Sequence, residues 1–139
     1  MSDINDWNAQ IIEEFRANEG KVGGPFAGQS VILVHHTGRR SGTERVNPVV
    51  YQAVDGGYAV FASKAGAPEH PDWYRNLMAH PETTVEVGTE TIPVVARDTV
   101  GAERDAIWER QKRDSPTFAD YEAKAEGRVI PVVVLEPAR

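Results

Sequence analysis

Two short glycine-flanked turns hold most of the positive charge that this chain places near a strand end. The first is Thr37-Gly38-Arg39-Arg40-Ser41-Gly42, with Arg45 three residues on. The second is Ala62-Ser63-Lys64-Ala65-Gly66, which leads into His70-Pro71-Asp72-Trp73-Tyr74-Arg75-Asn76-Leu77. Glycines leave backbone N–H groups accessible, and cations beside them suit an anion. Such turns hold an anionic tail while a neighbouring surface holds a flat ring, which points to a phosphate-bearing cofactor and so to an enzyme. For any one arginine, solvation and surface pairing (Arg45 with Glu44 or Glu69) is explanation enough. Four cations gathered within a Debye length need a negative partner.

Composition narrows the alternatives. The chain has 139 residues, enough for one domain (residues 1–139) with a continuous core. It contains no cysteine, which excludes disulfides, thiolate metal sites and cysteine nucleophiles. No apolar run approaches the ~20 residues of a membrane helix. The Met-Ser-Asp-Ile-Asn-Asp start lacks the pattern of a secretory signal. A cytoplasmic location, at most peripheral to a membrane, is expected. The net charge of −6 argues against nucleic acid, which would require a broad basic face. No metal-ligand spacing occurs, and the adjacent His35 and His36 should point to opposite faces of a strand.

The elements that must position the turns follow from periodicity. Ile4, Trp7, Ile11, Ile12 and Phe15 mark an amphipathic N-terminal helix within residues 1–20, stopped near Gly20. Its acidic polar side favours packing on the body over a lipid surface. Strands are expected over Ser30–His36, Glu44–Val54, Tyr58–Ser63, Thr83–Val87, Thr91–Arg97 and Val129–Leu135. Helices are expected over Pro71–Ala79, over Ala102–Arg113 with Ala102, Ala106 and Trp108 inward, and from Ser115-Pro116 to Gly127. About six strands, mostly joined by hairpins, and three or four helices predict an α+β, mainly β fold. The expected form is an antiparallel sheet curled into a small split barrel with helices over its openings.

Hairpin geometry brings the basic residues together. If Asp55 and Gly56 form a two-residue loop, Val54 pairs with Gly57, and counting back places Asn47 opposite Lys64. Arg45 then lies on the face of Asn47, while Arg39 and Arg40 sit in the turn that feeds this strand. Arg39, Arg40, Arg45 and Lys64 should meet at one rim.

The words Gly38-Arg39-Arg40-Ser41-Gly42, Arg45-Val46-Asn47-Pro48-Val49-Val50-Tyr51, Ala62-Ser63-Lys64-Ala65-Gly66-Ala67-Pro68, His70 to Leu77 and Ile130-Pro131-Val132-Val133 occur in order. In these the chain resembles the deazaflavin-dependent nitroreductase family, flavin/deazaflavin oxidoreductases of split β-barrel fold. The resemblance implies coenzyme F420, an 8-hydroxy-5-deazaflavin with a phosphate and polyglutamate tail. It implies coenzyme contacts at Arg39, Arg40, Ser41, Arg45, Asn47, Pro48, Val49, Ser63, Lys64, Ala65, Gly66, Trp73 and Asn76. The chain departs from relatives at Arg40, where many have lysine, and at His35-His36, a place often filled by threonines. Tyr121 alone remains of the several tyrosines that some relatives carry on the late helix.

The implied reaction is hydride transfer from reduced deazaflavin to a quinone, nitroaromatic or conjugated enone. Ser63 and Tyr121 are the candidate donors to charge developing on the acceptor; packing of Phe118 against Tyr121 is the plainer reading of that pair. Trp73 serves either as a ring wall or as core. Competing readings are an FMN-binding barrel of similar shape and a carrier or sensor without turnover. The expected partner is a small-molecule acceptor, and the expected assembly a monomer or homodimer.

Overall fold

The computed structural model describes residues 3–23, 30–63, 70–125, 127 and 129–138, with side chains from Asn8 onward. Six strands close into an antiparallel barrel in the order β1-β2-β3-β6-β5-β4. These are β1 (Val31–Thr37), β2 (Glu44–Val54), β3 (Gly57–Phe61), β4 (Glu82–Val87), β5 (Glu90–Asp98) and β6 (Val132–Pro137). The helices are α1 (Asp3–Ala17), α2 (Asp72–Ala79), α3 (Gly101–Asp114) and α4 (Thr117–Lys124).

The side-chain alternation of the strands builds two kinds of core. Inside the barrel lie Ile32 and Val34 of β1, Val60 of β3, Val85 of β4, Val94 and Ala96 of β5, and Val133 and Leu135 of β6. The short helix α2 adds Trp73 and Leu77 to the same cluster and so closes one end. Outside, α1 lays Ile11 and Phe15 on Val31, Leu33 and Val46. Helices α3 and α4 cover Ala59, Phe61, Val132 and Val134 with Trp108 and Phe118. Gly20 ends the α1 segment at φ 92°, and a Cβ there would come within 2.7 Å of Gly88 Cα. No helix among the described residues is long and apolar enough to cross a membrane.

The register that matters most is that of β2. It pairs with β1 from Val31↔Val50 to Thr37↔Glu44. It pairs with β3 from Val54↔Gly57, as the Asp55-Gly56 loop requires, to Tyr51↔Val60. Gly56 supplies the positive φ of that loop, 81°. Beyond Tyr51↔Val60 no further β2–β3 pair forms among the described residues, so the two strands part where β2 continues with β1. The barrel opens there.

Three expectations need correction. Strand β6 starts at Val132 rather than Val129: the Pro131 carbonyl still receives Ala62 N–H at 3.0 Å, but proline has no N–H to return the bond, and Val129 stands exposed. Strand β3 ends at Phe61 rather than Ser63. Most informative is α3, where Ala102 and Ala106 are exposed and Trp108 is buried. The inward stripe is Arg104, Ile107, Trp108 and Gln111, at steps of three, one and three. Gln111 Oε1 accepts from Gln52 Nε2 at 3.2 Å, and the Arg104 guanidinium lies 5.4 Å over the Trp108 ring. Alanine is too small to mark a face, whereas these polar side chains find partners inside. Trp108→Ala should therefore cost about 3–5 kcal/mol and lower the urea midpoint sharply. Ala106→Gln should change stability by less than about 0.5 kcal/mol.

Candidate active site

Where β2 and β3 part, a cleft of about 1050 Å³ runs between the basic turn, the open half of β2, the end of β3, α2 and α4. That volume is at the upper end for small-molecule sites. Arg39, Arg40, Ser41, Arg45, Asn47, Pro48, Val49, Ser63, Trp73, Asn76 and Tyr121 all line it. Lys64, Ala65 and Gly66 fall outside the described residues. Pro71 and Asp72, which adjoin Trp73 in the family-like word, line it too, as do His36, Phe61, Phe118 and Asn8, and none of these last four was assigned to the site from the sequence. Strand parity was the signal available for His36, since it lies on the face of Val34 and Ile32, which points into the barrel.

The basic end is built by a tight turn. Gly38 N–H donates to the Thr43 carbonyl and Gly42 N–H to the Gly38 carbonyl, both at 2.8 Å. Gly42 takes φ 71°, and a side chain at Gly38 would strike Ser41 Oγ. Folded in this way, the turn presents Arg39 and Arg40 beside Arg45, which lies opposite His36 in the ladder. Arg39 Nη2 lies 3.6 Å from Asp72, whose carboxylate is largely exposed, so that pair is weak. Arg40 and Arg45 form no ion pair with a described residue. Glu44, a candidate partner of Arg45, is within 3.4 Å of His35 instead.

Behind these cations a chain of side chains crosses the barrel end. Asn76, only 3% exposed, accepts at Oδ1 from Arg39 N–H at 3.1 Å and from Arg39 Nη1 at 2.9 Å. Two fixed donors at Oδ1 settle the orientation of the amide. Its Nδ2 therefore donates to His36 Nδ1, 2.9 Å away. An accepting Nδ1 places the imidazole proton on Nε2, which donates to Asn47 Oδ1 at 2.8 Å. Asn47 Nδ2 is left without a hydrogen bond among the described residues, as a donor on the cleft wall. Burial first, and then Arg45, push His36 below its ordinary value of 6.5, against the opposing pull of Asn47 and Asp72. His35 faces the other way and meets Glu86 at 2.8 Å.

The far end is aromatic. Phe61 and Phe118 meet edge to face at 5.6 Å, and Phe118 and Tyr121 at 5.3 Å. Trp108 backs both phenylalanines at 5.8 and 6.1 Å. Phe118 is thus both core and cleft wall, and Tyr121 Oη has no partner among the described residues. Trp73 likewise belongs to the barrel core while lining the cleft. Tyr74 turns away, donating to Asp98 at 2.9 Å with its hydroxyl pushed up to about 12 by burial and that bond. The described residues hold no cluster of metal-ligating side chains.

The cleft thus pairs a cationic end with a flat, aromatic wall. Comparison with known proteins agrees with that chemistry. The family model described as F420H(2)-dependent quinone reductase matches residues 7–137. Rv1261c of Mycobacterium tuberculosis (strain H37Rv), named an F420H(2)-dependent quinone reductase, is 30% identical over 125 residues, 87% of this chain and 83% of its own. Rv3178 of the same strain, which bears that activity as a provisional name, is 35% identical over 106 residues, 76% of this chain and 88% of its own. A solved F420H2-dependent reductase, FDR-A, superposes with a TM-score of 0.69 at 37% identity, covering 76% of this chain and 93% of its own. With its split barrel, basic turn and aromatic wall in place, the chain belongs to the F420H2-dependent quinone reductase family, oxidoreductases whose coenzyme is reduced F420.

Proposed function

We propose that this protein reduces a quinone with F420H2, holding the coenzyme's tail at Arg39, Arg40, Ser41 and Arg45 and its ring near Asn47, Pro48 and Val49. Asn76 and Trp73 support that arrangement from α2. The resemblance adds Ser63, and beyond the described residues Lys64, Ala65 and Gly66, to the groups that would contact the coenzyme. The observation that carries the reading is the polarity of the cleft. Two guanidinium groups without ion-pair partners among the described residues stand at one end, and an aromatic wall stands at the other. The fit to F420 rests on this donor set: a multiply charged tail meets Arg40 and Arg45, and Asn47 Nδ2 offers one directed bond to a ring acceptor. When bound, the reduced deazaflavin supplies hydride from a ring carbon.

The protein's own contributions are placement, charge and exclusion of water. Phe61, Phe118 and Tyr121 offer a flat acceptor a dry surface on which to stack, within reach of the β2 edge. As a quinone is reduced, negative charge builds on its oxygen. The Tyr121 hydroxyl is the donor best placed to meet that charge, and Ser63 is the second candidate. Solvent at the open side of the cleft restores the proton. The net charge of −6 and the gathering of only Arg39, Arg40 and Arg45 at the cleft support a small-molecule partner over nucleic acid. The reading places the enzyme in the cytoplasm, as a monomer or homodimer.

Equilibrium titration with oxidised F420 and with FMN tests the coenzyme reading; tighter binding of FMN would contradict it. Mixing protein, F420H2 and menadione should return the oxidised chromophore at a rate proportional to enzyme, and no enzyme-dependent oxidation would leave a carrier. Charge reversal at Arg45 or Arg40 should weaken F420 binding by ~1.5–3 kcal/mol per charge-assisted contact with the urea midpoint unchanged. Tyr121→Phe should lower kcat for menadione about 10- to 100-fold, below the loss for a fully preorganised donor because the residue is half-buried. The F420 dissociation constant of that variant should match the wild type.

A further inference from the structure

The inference starts from a buried imidazole that the proposed reaction does not use. His36 is 2% exposed and sits between two amides from different elements, Asn47 on β2 and Asn76 on α2. Both amides line the cleft, and through Asn76 the same chain of bonds reaches the Arg39 guanidinium and backbone N–H. We infer that His36, as its neutral Nε2–H tautomer, is a positioning residue that sets the direction of both amides, aiming Asn47 Nδ2 into the cleft and holding Arg39 at its rim.

Bond polarity carries this inference. An Asn amide can rotate by half a turn with little cost unless its neighbours distinguish oxygen from nitrogen. Asn76 is pinned by two donors on Arg39, so it presents Nδ2 to His36. Only an imidazole without a proton on Nδ1 can accept that bond. Its remaining proton must then lie on Nε2, which forces Asn47 to turn its oxygen inward and its nitrogen out. A hydrogen-bond preference set at the basic turn is relayed in this way to the wall where the ring is proposed to lie. A second proton on Nδ1 would face Asn76 Nδ2, donor against donor. Relieving that conflict by rotating Asn76 would bring its Nδ2 against the two Arg39 donors. Protonation therefore breaks the relay at one end or the other.

Charged and titratable groups face His36 from three elements: His35 on β1, Arg45 on β2 and Asp72 on α2. Arg39 in the turn joins them through Asn76. Arg45 and His35 oppose protonation, and Asp72 favours it. An anion at the rim offsets Arg45 but supplies no acceptor at Nδ1, so the conflict of donors persists with ligand bound. The sign follows from the lowered folded-state value. The unfolded chain takes up the proton near 6.5 and the native protein only at lower pH. The contribution of His36 to folding stability is complete above 6.5 and is lost as pH falls below it towards the native value, whereas in the folded protein its bonds persist down to that native value.

The test rests on the coenzyme reading above and separates its failure from that one. His36→Gln keeps a donor near the Nε2 position but loses the Nδ1 acceptor; His36→Asn keeps an acceptor near Nδ1 but cannot reach Asn47. Oxidised F420 is titrated into wild type and both variants from pH 5 to 8, with urea midpoints recorded alongside. Above pH 6.5 each variant should bind about 5- to 10-fold more weakly, as expected for one misdirected bond. As pH falls through the native His36 value, which lies below 6.5 and is located by following the imidazole nitrogens, the wild-type advantage should shrink towards none; taking the ratio cancels the coenzyme's own titration. A role limited to packing gives a ratio that does not change with pH. Nitrogen NMR of the wild-type imidazole should show Nδ1 unprotonated and Nε2 protonated at pH 7, a readout that needs neither ligand nor variant. Wild type that binds F420 while the ratio stays flat across the imidazole's own titration, or equal binding by wild type and both variants, or an Nδ1–H tautomer, overturns the positioning role. Wild type that does not bind F420 at any pH overturns the coenzyme reading and this inference with it.

Discussion

A single buried amide holds the candidate site together. Asn76 reaches from α2 to the basic turn and to β1, and its oxygen takes two bonds from Arg39 while its nitrogen takes the third place at His36. Leaving any of these groups unpaired out of water would cost about 1–3 kcal/mol. The helix, the turn and the strand are thereby locked in one arrangement, and the cationic rim inherits its shape from that lock. Asn76 is next to Leu77, which is fully buried in the barrel core. The apolar packing that seats α2 is therefore also what delivers the amide.

The barrel divides its labour by face. Its interior is filled with valine, isoleucine and leucine, and one end is closed by Trp73 and Leu77. Its outside is covered by α1 on one side and by α3 with α4 on another. The cleft forms where neither solution is complete, along the half of β2 that pairs with β1 but not with β3. Side chains from the inner face there, such as Arg45, Asn47 and Val49, share the cleft with aromatic groups brought by α4. At the basic end the turn is closed by backbone bonds. At the aromatic end Trp108 stands behind both phenylalanines.

Much of this was legible in residue types and spacing. The Asp55-Gly56-Gly57 signal set the β2–β3 register because only a two-residue loop with a positive φ fits it. The clustering of Arg39, Arg40 and Arg45 followed from the glycine-flanked turn that feeds β2. Two features were not legible, for different physical reasons. The inward face of α3 was misread because Ala102 and Ala106 are apolar but bury little, while Arg104 and Gln111 are polar but find partners on distant elements. His36 was passed over because its meaning depends on Asn76, forty positions away, whose amide direction depends in turn on Arg39. Alternation along a strand shows which way a side chain points. It does not reveal the bond waiting there.

The central claim is that the basic turn and β2 grip the charged tail of a deazaflavin whose ring lies towards the aromatic end. A crystal structure of the protein with oxidised F420 tests it most directly. The account predicts the phosphate within hydrogen-bond distance of Arg40 or Arg45 and a ring acceptor on Asn47 Nδ2. A tail lying along Phe118 and Tyr121, or a coenzyme bound away from this cleft, would contradict it.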